Sequence, residues 1–303
     1  MKHTRGDKIN GWLVVDKPAG IGSTQVVGQV RHLLNAAKVG HCGTLDPFAT
    51  GVLPIAVGEA TKLVPYVTDG DKEYEFTLKF GATTDTLDCD GTIIQNGGRI
   101  PDKTEISEVL PQFVGEIAQI PPAYSAIKIG GQRAYDLARR GKNVSIPERK
   151  VQVYALELLD MPTTDSVNCR VRCSKGTYVR TLGADIAKRL GTIGYLQKLR
   201  RTKCGNFDLR QKILLENLKN IEYVTERQKV LLPVITCLRD IAVIAVTEAD
   251  ATKLRHGQSL SPKAYDVSEL YGQEVAMVYD NQLVAMVRIE ERKLSPVRVF
   301  NIE

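Results

Sequence analysis

The chain has 303 residues, 43% of them hydrophobic, enough for two ordinary globular domains or one large domain with an appendage. Its 41 Lys and Arg against 35 Asp and Glu give a net charge of +6, which suits a polyanionic partner, although surface solubility alone accounts for part of it. Six scattered cysteines form no CxxC pair, the N-terminus has no signal-like apolar stretch and no run approaches a membrane span, so the pattern excludes a zinc ribbon and a spanning helix and predicts a soluble cytoplasmic protein with reduced thiols.

The first predicted element is a strand at WLVVD, followed after the turn KPAG by a helix in STQVVGQVRHLL. That helix carries Val26, Val27, Val30, Leu33 and Leu34 on one face, with Ser23 or Thr24 as its cap. A glycine-rich turn over Gly40 to Leu53 leads into a strand at VLPIAV. KEYEFTLKFG alternates, with Tyr74, Phe76, Leu78 and Phe80 on the apolar side and Glu73, Glu75, Thr77 and Lys79 on the other, which predicts a half-buried strand. Helices follow near Thr104 to Phe113 and in QRAYDLARRG, the latter stopping at Gly141.

Strands resume at KVQVYALEL and VNCRVRC, where alternation puts Cys169 and Cys173 on the apolar face. SKGTYVRTLGADIAKRLG turns at Gly176 and becomes a helix with Val179, Leu182, Ile186 and Leu190 inside, ending at Gly191. ILLENLKNI has helical periodicity, and after Cys237 strands dominate: IAVIAV, EVAMVYD and LVAMVRIEE around a short helix that Thr247 and Asp250 open as a capping box. The change of character places a domain boundary near Arg239, giving units 1–238 and 239–303.

Within GHCGTLDPFATGVL, one carboxylate, Asp46, sits in a nearly uncharged loop. Gly40, Gly43 and Gly51 permit backbone angles that other residues resist, and Pro47 pushes Asp46 away from helical angles. An Asp-Pro pair commonly just initiates a turn, yet His41, Cys42, Thr44 and Thr50 crowd polar groups around this acid, so spacing leaves a structural and a chemical role equally open. Tyr74 reads by pattern as a core aromatic. Arg180 falls in the first turn of its helix, where the macrodipole disfavours a cation; that points to a specific anionic partner or to a solvated surface arginine.

Six ordered segments extend the reading: DKPAGIGS, GHCGTLDPFATGVL, KEYEFTLKFGATTDTLDCDG, PPAYSAIKIGGQRAYDLARRG, CSKGTYVRTL and LRRT, spread over most of the first 200 residues. Together they resemble the bacterial tRNA pseudouridine-55 synthases of the TruB type. One departure is Gly22, which stands where the family's KPxG motif usually carries a small hydroxyl residue. The resemblance implies an α+β pseudouridine synthase fold: a mixed, largely antiparallel sheet with surrounding helices and a central cleft, then a small β-rich PUA-like domain that binds RNA. It implies isomerisation of uridine 55 in the T-arm loop of tRNA by a monomeric enzyme, through base flipping, with no metal and no organic cofactor.

By the same resemblance Asp46 is the essential aspartate acting at the glycosidic bond, Tyr74 the aromatic that stacks on the uracil, and Arg180 the partner of Asp46. His41 fills the space left by the flipped base, Tyr178 and Leu199 wall the uracil pocket, and Lys17, Pro18 and Gly43 support the loop. An arginine is the expected partner because burial raises a carboxyl pKa while an adjacent cation lowers it by roughly 1 to 3 units and can grip it with a forked hydrogen bond. The rival reading is a non-catalytic tRNA-folding chaperone; a zinc deaminase is disfavoured because the HxE and PCxxC signature is missing from the sequence.

Overall fold

The computed structural model describes residues 6–125, 127–140 and 146–302. Among these residues the main sheet has ten strands. Its spine runs Lys212–Leu214, Gly11–Lys17, Thr50–Val57, Gly194–Cys204, Lys72–Phe80, Ser166–Cys173, Arg149–Thr163 and Gly115–Gln119. Only the contacts of Gly11–Lys17 with Lys212–Leu214 and of Thr50–Val57 with Gly194–Cys204 are parallel. The other spine pairings are antiparallel, as the resemblance implied.

Burial follows the sequence periodicity. Phe76, Leu78 and Phe80 are buried from the Lys72–Phe80 strand, and Cys169 and Cys173 from its neighbour. They meet Val26 and Val30 of the Ser23–Leu33 helix and Leu182 and Ile186 of the Val179–Arg189 helix in one apolar core. Gly176 and Gly191 bracket the latter helix with φ of 83° and 70°, angles that a side chain would strain. The expected helix stop at Gly141 lies outside the described residues.

Two cap assignments change. Gly22, not Ser23 or Thr24, is the N-cap of the first long helix, and its N–H donates to Gln25 Oε1 at 2.8 Å. The departure at position 22 is thus a capping site where glycine replaces a hydroxyl at a cost of a few tenths of a kcal/mol. Thr247 caps Glu248–Arg255 by accepting from the Asp250 N–H at 3.2 Å, but the reciprocal bond of a box does not form. The Asp250 carboxylate accepts instead from Lys253 and from Tyr265 Oη, at 2.8 and 2.7 Å.

A separate four-stranded sheet, Val243–Ala245, Glu274–Tyr279, Gln282–Glu290 and Lys293–Val299, forms the C-terminal β unit. It has a small core of its own around Leu254, Val275, Val287 and Ile289. A second apolar cluster joins it to the main sheet, with Trp12, Phe207 and Val234 packed among Ala276, Leu283, Met286 and Phe300. Trp12 packs against Phe207 with ring centroids 5.1 Å apart and planes tilted by 48°, and donates its indole N–H to Val234 O at 2.8 Å. No described helix is long and apolar enough to cross a membrane.

Candidate active site

Asp46 lies between the short strand Val39–His41 and the buried strand Thr50–Val57. The loop is tied down on three sides. Ser23, at the start of its helix, accepts from the Leu45 N–H and donates to the Leu45 carbonyl, both at 2.9 Å, which fixes the residue before Asp46. Lys17 is fully buried and donates Nζ to the carbonyls of Pro18, Ile21 and Pro47 at 2.8, 2.7 and 3.0 Å, holding the residue after it. Arg201 anchors the loop from below with Nε donating to Val52 O at 2.8 Å and Nη2 to Gly43 O at 2.9 Å.

The close approach of Arg201 explains two glycines. Gly43 has φ 70°, and a Cβ there would stand 3.1 Å from Arg201 Nη1. Gly51 has φ 100°, and a Cβ there would come within 2.2 Å of the Arg201 carbonyl oxygen. Gly40 uses none of this freedom: it lies in a strand, without a positive φ, and open space surrounds the place of its missing Cβ.

Arg180 Nε stands 3.0 Å from Asp46 Oδ2. The expected fork does not form. Nη1 donates to Thr86 O at 2.9 Å and pairs with Asp88 Oδ2 at 3.2 Å, while Nη2 donates to Tyr124 O at 2.8 Å. The Nε–H is not aligned on a hydrogen-bond acceptor, so Asp46 faces the cation without being gripped by it. The Arg180 side chain is 4% exposed and that of Asp46 36%, so the guanidinium is enclosed while one edge of the carboxylate remains open. Burial pushes Asp46 above the usual carboxylate range; the charges of Arg180 and Lys17 oppose the shift, and nearby Asp90 adds to it.

Burial also lowers the Lys17 ammonium to about 8, against the pull of Asp46 and Asp90. It is fully buried among its three carbonyl partners, and Pro18 is exposed beside it, supplying one of those carbonyls. Tyr74 lies half-buried against the core, pairs in the sheet with Arg201 and Val171, and its phenol is pushed up to about 12 by burial, with Arg201 opposing. His41 ends the Val39–His41 strand with Nδ1 buried and unpaired, and burial first, then Arg201, lower its pKa, so the ring is neutral at pH 7.

Tyr178 is the N-cap of the Arg180 helix; its backbone exchanges hydrogen bonds with the Gln119 side chain, and Arg149 covers its ring at 4.7 Å from the centroid. Leu199 is 7% exposed and packs in the main core opposite Phe76. Among the described residues no cluster of three or more His, Cys, Asp or Glu is placed to hold a metal ion.

Sequence reasoning missed Ser23 as a loop tie, Asp88 as a second carboxylate on Arg180, and Arg201. A signal existed for the last. Arg200 and Arg201 are adjacent in a strand whose side chains alternate between faces, so one had to point inward. Arg200 takes the outer position, forked on Asp16 at 2.8 and 3.1 Å, and Arg201 is the buried one at 1% exposure.

Comparison with known proteins agrees with this architecture. Residues 31–179 match the TruB family pseudouridylate synthase N-terminal domain, and residues 180–255 the tRNA pseudouridylate synthase B C-terminal domain. A Caulobacter vibrioides protein named tRNA pseudouridine synthase B is 44% identical, with 99% of each chain covered. One of the same name from Paracoccus denitrificans is 42% identical over 100% of each chain. Among solved structures, a chain of a Cbf5-Nop10-Gar1 complex superposes with a TM-score of 0.73 at 26% identity, covering 96% of this chain and 84% of its own. With both halves of the sequence matched and relatives of this identity across its whole length, the chain belongs to the TruB family of pseudouridylate synthases.

Proposed function

We propose that this chain is a tRNA pseudouridine synthase that isomerises uridine 55 in the T-arm loop, with Asp46 acting at the glycosidic bond. The observation that carries the reading is a carboxylate open on one edge and set 3.0 Å from an enclosed guanidinium, on a loop tied down by Ser23, Lys17 and Arg201. The reaction breaks N1–C1′, turns the uracil and joins C5 to C1′; C5 loses its proton and N1 takes one up from solvent, so the product is an isomer and no electron is gained or lost. One ionised carboxylate suffices to stabilise or attack the carbon at C1′.

A base paired or stacked inside the T loop must first be extruded, at a cost of a few kcal/mol. Stacking on the Tyr74 ring returns roughly 1 to 3 kcal/mol. With its phenol near 12, Tyr74 enters the reaction as a neutral ring and hydrogen-bond donor rather than as a standing base. His41, neutral and flat, suits the gap left by the flipped base, and Tyr178 and Leu199 the pocket wall. Arg180 favours the ionised form of Asp46 against the larger effect of burial, and Lys17, Pro18 and Gly43 support the loop.

We further propose that residues 239–303 form a PUA-like RNA-binding unit, and that the enzyme acts as a monomer in the cytoplasm, where its six free thiols stay reduced. Tritium release from [5-³H]uridine placed at position 55 of a T-arm stem-loop tests the activity. Release in step with turnover is expected, whereas tight binding without release would replace the enzyme by a tRNA-folding chaperone.

A further inference from the structure

Arg201 is a buried cation without the usual reason for one. Its residue is 1% exposed; the Cys204 and Cys42 thiols and the Tyr74 phenol favour its charge, His41, Lys17 and Lys72 also lie near it, and among the described residues no carboxylate is paired with it. Taking a guanidinium out of water costs several kcal/mol unless its donors are satisfied, and arginine tolerates this better than lysine because its charge is spread over a planar fork. Here backbone carbonyls do the satisfying: Val52 O at 2.8 Å, Gly43 O at 2.9 Å and Cys42 O at 3.4 Å. All three belong to the segment that carries Asp46.

The main chain of Arg201 makes the complementary link. Its strand pairs Arg201 with Gly51 on one side, in parallel register, and with Tyr74 on the other, in antiparallel register. One residue therefore touches both ends of the Asp46 loop through its side chain, and meets Tyr74 twice, through the paired backbone and through the guanidinium beside the phenol. At Gly51 the pairing leaves no room for a side chain, since a Cβ there would stand 2.2 Å from the Arg201 carbonyl oxygen.

From this geometry we infer that Arg201 is a positioning residue, which sets the Asp46 loop in register with Tyr74 by holding the loop's carbonyls in a forked guanidinium. The inference rests on the reading that Asp46 and Tyr74 serve uridine isomerisation. Arg201 itself touches neither reacting atoms nor base. Its loss should lower kcat and leave KM nearly unchanged, because a displacement near 1 Å of the reacting group can cost about 10²-fold in rate.

The test compares wild type with Arg201→Lys and Arg201→Gln. Tritium release from the T-arm stem-loop gives kcat and KM, and amide hydrogen exchange is followed peptide by peptide. Arg201→Lys keeps the charge but presents one nitrogen to three carbonyls. Both variants should lose roughly 10²-fold in kcat with KM within about 3-fold, and exchange should quicken in residues 41–53 while the 166–173 strand keeps its protection.

Wild-type kcat in either variant overturns the proposal, as does a loss confined to KM or one accompanied by faster exchange throughout the chain. Should neither variant fold, Gly43→Ala serves: it leaves Arg201 in place but sets a methyl 3.1 Å from Nη1. The same kcat loss with local exchange is then expected, and unchanged kcat overturns the inference. A wild-type protein that binds the stem-loop but releases no tritium would sink the isomerase reading instead, and the exchange data alone would then judge whether Arg201 holds the loop.

Discussion

Asp46 is held in tension between burial, which favours its neutral form, and Arg180 and Lys17, which favour the anion; the net shift is upward. A carboxyl with a raised folded pKa binds its proton more tightly in the folded chain than in the unfolded one. Stability therefore falls as pH rises from the ordinary aspartate value through the folded pKa, and at neutral pH the site is less stable than it would be with a group that does not titrate. Asp46→Asn should thus melt at a higher temperature than wild type at pH 7, with the gap closing as pH falls towards 4, as calorimetry would show. An equal or lower melting temperature at pH 7 would mean that Arg180 outweighs burial. The rate should follow the opposite course, with kcat rising with pH as Asp46 ionises.

Arg180 is the costlier residue to remove. Arg180→Ala leaves Asp88, whose side chain is 6% exposed, and Asp46 without their shared cation and frees two backbone carbonyls. We expect a loss of about 3–5 kcal/mol in urea unfolding together with loss of turnover. Full activity in a stable Arg180→Ala protein would show the ion pair to be irrelevant to the chemistry.

At the scale of elements, the loop owes its shape to contacts from three distant segments, and this is where sequence reading reached its limit. Alternation in KEYEFTLKFG is a local property, and Phe76, Leu78 and Phe80 lie buried as it predicts. The position of Arg180 in a first helical turn left an anionic partner and a solvated surface arginine both open, and two carboxylates are present. Which acceptors Arg180 would find was not legible, because Thr86 O and Tyr124 O come from loops with no periodic signal. Ser23 illustrates the same limit: its type suggested a helix cap, but tertiary contact turns its hydroxyl to Leu45. Ser23→Ala would strand a buried N–H and carbonyl at Leu45, for about 1–3 kcal/mol by denaturant titration, with Asp46 less firmly placed and kcat reduced. A change below about 0.5 kcal/mol would show that the loop satisfies those groups another way.

The whole molecule is knitted more tightly than two independent domains would be. Besides the cluster around Trp12, Lys62 donates to Val299 O at 2.7 Å, Tyr66 Oη to Glu274 at 2.5 Å, and the Asn301 N–H to Glu59 Oε2 at 2.9 Å. The change from helix to strand after Cys237 was readable as a change of composition. The shared cluster was not, since Trp12 and Phe300 are 288 positions apart and nothing local couples them. Removing residues 239–303 to test RNA affinity would uncover Trp12, Val234 and Leu238, so the truncated chain should aggregate or unfold at lower denaturant, and the full chain should unfold in one transition. Two separate transitions in the full chain would contradict that coupling.

The central claim, that Asp46 performs the isomerisation on a loop built to hold it, is tested most directly by single-turnover tritium release with excess enzyme and a [5-³H]uridine T-arm stem-loop, comparing wild type with Asp46→Asn. The account predicts release by wild type, release slower by at least about 10³-fold in Asp46→Asn, and stem-loop affinity within about 3-fold of wild type. Release by Asp46→Asn at the wild-type rate would contradict it.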